Sequence, residues 1–150
     1  MIKKLMLLII FSAFIIMGIT SCTSCDMSAS TEPDEEEPPA GYVNVTFRVD
    51  MSAETLDPNG VHIAGDFGDN SAGEGWPVWD PSSDLMMLAD DDEDMVYEIT
   101  LEVAVNSTYY YKFTNGNGWY GEEWAGDPNR SVEVGEENLI LDIVVFGIQP

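Results

Sequence analysis

Val43, Val45, Phe47 and Val49 alternate with Asn44, Thr46, Arg48 and Asp50, the period of a β-strand with one buried face and one wet face. Tyr97, Ile99, Leu101 and Val103 repeat the pattern against Glu98, Thr100 and Glu102. Near the C-terminus Leu139, Leu141, Ile143 and Val145 repeat it against a less polar set. Shorter apolar or aromatic runs at 61–67, 85–88, 108–114 and 131–134 fill the intervals. Turn-forming residues separate the runs: Asp57-Pro58-Asn59-Gly60, Asp80-Pro81-Ser82-Ser83, Asn115-Gly116-Asn117-Gly118 and Asp127-Pro128-Asn129. No stretch has a convincing helical period. The pattern predicts an all-β fold, an antiparallel β-sandwich of seven to eight strands with no more than a helical turn or two. About 109 residues follow Gly41, enough for one domain with one core and too few for two.

The chain opens in another style. Lys3 and Lys4 precede an apolar run from Leu5 to Ile19 that ends in small residues, the order of an export signal. As a helix this run would reach about 22 Å, short of a hydrocarbon core of about 30 Å, so a signal over residues 1–21 is a stronger reading than a permanent span. Its tail, Ile19-Thr20-Ser21-Cys22, resembles the lipobox of bacterial lipoproteins, which implies a diacylglycerol on Cys22. Each buried CH₂ of an acyl chain contributes about 0.8 kcal/mol, so a multiply acylated Cys22 would hold the protein at a membrane. Residues 22–41 are Ser, Thr, Glu, Asp and Pro with little to bury, and read as a disordered, self-repelling acidic linker. An acidic run at this place also resembles the surface-export signal of some Gram-negative lipoproteins. The expected location is the bacterial outer membrane, facing either the periplasm or the cell exterior. Cys25, the other cysteine, falls in the linker, so the domain over residues 42–150 has no cystine support.

With both lysines of the signal set aside, Arg48, Lys112 and Arg130 face 28 acidic residues. Phosphate backbones are repelled by such a chain, which excludes nucleic acid as a partner and leaves neutral polysaccharide open. Divalent cations are attracted, and Asp90-Asp91-Asp92-Glu93-Asp94 offers the carboxylates that a hard cation wants. The run lacks the glycine offset and terminal Glu of the helix-loop-helix calcium motif, and a solvated hairpin loop is its plainer reading. His62 has no second His beside it in the sequence, so neither a transition-metal site nor a nucleophilic triad is expected. Glycosidase chemistry needs two carboxylates across a cleft, which a lone sandwich of this size rarely supplies. The reading is a protein without catalysis, metal or cofactor.

Val61-His62-Ile63-Ala64-Gly65-Asp66-Phe67, then Trp79-Asp80-Pro81, Met95-Val96-Tyr97-Glu98, and Tyr111-Lys112-Phe113 before an Asn/Gly turn and Trp119, resemble the starch- and glycogen-binding modules. These are carbohydrate-binding module families 20 and 48, including the glycogen-binding domain of the AMP-activated kinase β subunit, and related early-set immunoglobulin-like domains of bacterial surface proteins. The resemblance spans nearly all of 42–146. It implies an immunoglobulin-like sandwich that binds α-glucan, with Trp79 and Trp119 as the stacking platform, Lys112 donating to sugar hydroxyls and Asn129 contacting a glucose unit. Independently of the family, the C–H face of a pyranose packs on an indole, and a ring held on a rigid turn loses little entropy on binding.

Two departures stand out. In the family the first Trp follows the Phe by only a few residues, whereas here 68–75 intervenes before Trp76 and Trp79. Trp79 is favoured because Trp-Asp-Pro matches the relatives, with Trp76 as its alternative. The cysteine pair that relatives often carry late in the domain is missing. Tyr120 and Trp124, in the polar stretch 118–126, either widen the platform or pack as a lid, and Arg130 is expected to pair with an acidic side chain. The competing function is a structural or adhesive early-set domain without a sugar site, a spacer or docking surface for an envelope protein.

Overall fold

The computed structural model describes residues 41–68 and 75–150; the expected signal, Cys22 and the linker as far as residue 40 lie outside them. Among the described residues there are seven strands: β1 (Tyr42–Asp50), β2 (Val61–Gly65), β3 (Val96–Ala104), β4 (Ser107–Asn115), β5 (Arg130–Val134), β6 (Leu139–Ile140) and β7 (Val144–Val145). The only helical elements among the described residues are two 3₁₀ turns, Asp84–Met86 and Trp119–Gly121. One sheet runs β3-β1-β6, with β7 also on β1, and the other runs β2-β4-β5. The fold is an all-β sandwich.

Period-two alternation becomes packing in β1, where Val43, Val45, Phe47 and Val49 are buried and the residues between them are half-exposed. In the facing sheet, Tyr109, Tyr111 and Phe113 of β4 turn inward. Phe47 meets Phe67 and Tyr111 edge-on, at centroid separations of 5.3 and 4.9 Å, an arrangement that suits the ring quadrupoles and ties the two sheets together. Burial pushes the Tyr111 phenol up to about 12.

Two strand expectations need correction. The run 85–88 is a 3₁₀ turn followed by a single bridge from Met87 to His62. Ser83 starts the turn, its Oγ accepting from the Leu85 amide at 3.3 Å; Met86 is buried while Leu85 and Met87 are exposed. The C-terminal run is two short strands that pair parallel with β1, so the first sheet is not purely antiparallel. Val45 lies opposite Leu139 and Val49 opposite Val144: β1 advances four residues while the tail advances five, which is a bulge. Leu139 and Leu141 therefore pack on the core as expected, but Val144 and Phe146 take the inward places expected of Ile143 and Val145.

Candidate functional site

Trp79 is placed by the Gly-Asp-Phe element. Asp66 extends the β2–β4 ladder beyond Gly65, its amide donating to Tyr110 O at 3.1 Å and its Oδ1 accepting from the Tyr110 amide at 2.7 Å. Phe67 then enters the core. A Cβ on Gly65 would lie 2.5 Å from the Phe67 ring and 2.6 Å from Tyr110 O, so only glycine fits this corner. The Gly65 carbonyl accepts the Trp79 amide at 2.7 Å.

The insertion does not carry Trp79 away, because its two ends meet. A Cβ on Gly68 would fall 1.9 Å from Val78 Cγ2 and 3.2 Å from the Trp76 carbonyl. Trp79 itself is half-buried with φ +49°, a conformation that a bulky side chain rarely adopts. Trp76 serves another purpose. It packs partly buried against the core, with its indole N–H donating to Glu102 O on the outer edge of β3 at 2.7 Å.

Trp119 is placed by the glycine-rich turn after β4. The chain folds back so that Glu123 continues along β4, its amide donating to Phe113 O at 3.1 Å and its Oε1 accepting from the Phe113 amide at 3.1 Å. The intervening residues form the 3₁₀ turn that raises Trp119, 42% exposed. The two indoles lie together, with centroids 6.3 Å apart and planes tilted by 35°.

Lys112 and Asn129 part company with this pair in different ways. Lys112 is 3% exposed, and its ammonium donates to the carbonyls of Trp124 and Gly126 and to Glu122 Oε2 at 3.4 Å. An ammonium has three N–H donors, so none is left for a sugar hydroxyl, and the expected donor role is corrected to one of holding the 122–126 loop. Asn129 follows the cis Asp127–Pro128 bond and is half-buried; its side-chain amide makes no hydrogen bond among the described residues.

Trp124 takes the lid position. Its indole N–H donates to Pro128 O at 2.7 Å, and its ring lies 5.6 Å from Lys112 Nζ and 4.9 Å from the Arg130 guanidinium, within cation–π range. Arg130 does pair with an acid: Nη2 reaches Glu123 Oε2 at 2.7 Å and Nε reaches Oε1 at 3.0 Å, while Nη2 also donates to Val145 O and Ile148 O. The sequence supplied the charge of the partner but not its identity.

In the acidic loop, carboxylate oxygens of Asp90, Asp92 and Asp94 lie within 4.8 Å of one another. Asp90 already accepts the amides of Asp94 and Met95, at 3.0 and 3.1 Å, the work of a turn former. Paired bonds between Ala89 and Glu98 close the loop as a hairpin.

No family model and no curated protein matches the chain. Among solved structures it is similar to the Gamma-CGTASE of an alkalophilic Bacillus clarkii, at 19% identity and TM-score 0.48 over 70% of this chain and 15% of that one. It is similar also to the family 20 CBM of the maltotetraose-forming amylase of Pseudomonas saccharophila (20% identity, TM-score 0.42, covering 65% of this chain and 98% of that one). A third likeness is to a family CBM41 module from Eubacterium rectale (21% identity, TM-score 0.43, covering 71% and 90%). The chain thus spans a small part of the first of these proteins and nearly all of the two isolated modules.

Proposed function

We propose that residues 42–150 form a non-catalytic module that binds α-glucan by stacking on Trp79 and Trp119, carried on a lipoprotein of the bacterial outer membrane. The observation that supports this reading is the indole pair, 6.3 Å apart and tilted by 35°. Two planes set at an angle suit a chain that curves as it runs, as α-1,4-linked glucose does, and fit a flat β-1,4-linked ribbon poorly. The left-handed backbone at Trp79 is a second support, because strain of this kind persists where a surrounding structure holds a ligand-facing group in place. Asn129, whose side-chain amide makes no hydrogen bond among the described residues, is the polar contact that this reading assigns.

Titration of intrinsic Trp fluorescence with maltoheptaose, and with cellohexaose as the flat control, tests the reading. Saturable quenching or a blue shift by the α-linked ligand alone is expected. Truncating a stacked ring at the centre of a contact costs about 2 kcal/mol or more, so Trp119→Ala should weaken binding by about 30-fold or more. Equal affinity for the two ligands, or none for either, would defeat it.

One observation favours the spacer reading instead: the cation that the family offers to sugar hydroxyls is here buried and fully used. A spacer would show acrylamide quenching of Trp fluorescence that glucan leaves unchanged. The anchor is tested separately. Labelled palmitate should appear on the wild-type protein in a bacterial host and be lost in Cys22→Ala, which should move to the soluble fraction; labelling that survives the substitution would remove the lipoprotein part of the reading.

A further inference from the structure

Tyr120 is 71% exposed, yet its ring is held in place. A Cβ on Gly118 would lie 2.6 Å from Tyr120 Cε1, and one on Gly116 would lie 2.8 Å from its hydroxyl oxygen. Gly116 also has φ +107°, so glycine is required at that position beneath the ring. The phenol donates to Asn117 Oδ1 at 3.2 Å, and no other aromatic ring stacks on Tyr120 among the described residues. The result is a flat aromatic face laid on a floor of bare backbone, with nothing packed above it. An ordinary surface Tyr needs no such floor.

The ring shares the 3₁₀ turn Trp119–Gly121 with the second indole. Successive side chains of a 3₁₀ turn point about a third of a revolution apart, so Tyr120 faces a facet next to the one carrying the Trp pair and cannot join it in one plane. A straight chain leaving the pair would miss that facet, so only a chain that curves can touch both.

We infer that Tyr120 is a further stacking contact that lengthens the footprint beyond the indole pair and makes the site select longer α-glucan chains over short ones. This rests on the proposed α-glucan reading and adds to it a preference for chain length. With the Tyr120 side chain this exposed, its substitution is expected to leave the fold intact.

The association constants of the wild-type protein, Tyr120→Ala and Tyr120→Phe for maltotriose and maltoheptaose, measured by calorimetry on the purified chain with melting temperatures as a control on folding, provide the test. The expected result is that Tyr120→Ala lowers the ratio of maltoheptaose to maltotriose affinity about three- to tenfold, the range of one aromatic contact, while Tyr120→Phe keeps it. A wild-type ratio in Tyr120→Ala, or an equal fall in Tyr120→Phe, overturns the inference and leaves the indole pair standing. Absence of binding to either sugar by the wild-type protein overturns the α-glucan reading itself, and this inference with it.

Discussion

Glu123→Ala is expected to destabilise the domain by about 3–5 kcal/mol, the cost of leaving a buried charge without its partner. Arg130 is 6% exposed and Glu123 7%, and the two share the three short contacts of a bidentate pair. The same carboxylate accepts the Phe113 amide, so truncation strands a buried backbone donor as well as the guanidinium. Burial pushes the Glu123 carboxyl up, while its donors, Arg130 and the Phe113 amide, pull the other way; loss of the side chain leaves both donors without their acceptor. For a domain whose whole stability is about 5–15 kcal/mol, the loss is severe. Glu123→Ala with Arg130→Met should recover part of it, because the second change withdraws the uncompensated charge. Urea denaturation measures both. A single-variant loss below about 1 kcal/mol, or a double variant no better than the single, would show that the pair does not hold the loop to β4.

The pair also shows which parts of the molecule were legible in the sequence. β1 and β3 were readable because Asn, Thr, Arg, Glu and Asp interrupt their apolar residues at every second position, leaving one choice of inward face. The tail was readable only as far as Leu141. Beyond it Ile143, Val144, Val145 and Phe146 are all apolar, so the alternation has no phase, and the bulge that turns Val144 and Phe146 inward leaves no mark on composition.

Lys112 was misread for a related reason. Alternation puts it on the face of β4 opposite Tyr111 and Phe113, and a sequence shows that face as solvent. The 122–126 loop covers it, and only the fold supplies the carbonyls of Trp124 and Gly126 that take its charge. Bringing Trp79 beside Trp119 across the insertion depended on contacts as local as Gly68 against Val78, and the family resemblance, rather than any pattern in the residues, singled out those two rings.

Gly121→Ala is expected to weaken glucan binding about tenfold or more with both indoles intact, since a central aromatic contact carries about 2 kcal/mol or more when correctly placed. A Cβ on Gly121 would lie 2.0 Å from the carbonyl oxygen of Asn115 and 2.8 Å from its carbonyl carbon. The obstacle is backbone at the end of β4, and Asn115 is fixed from two sides: its Oδ1 accepts the Asp57 amide at 2.8 Å and its Nδ2 donates to Thr55 O at 2.9 Å. The 119–121 turn must therefore move instead, and with it the spacing and tilt of Trp119 against Trp79. Gly135→Ala is the matched control, since a Cβ there meets nothing within 4 Å, and it should bind as the wild-type protein does. Titration with maltoheptaose reads the difference, with the melting temperature reporting whether the turn has shifted or the domain has failed. Wild-type affinity in Gly121→Ala would mean that glucan does not depend on where this turn sets Trp119, and would place the binding surface elsewhere on the sandwich.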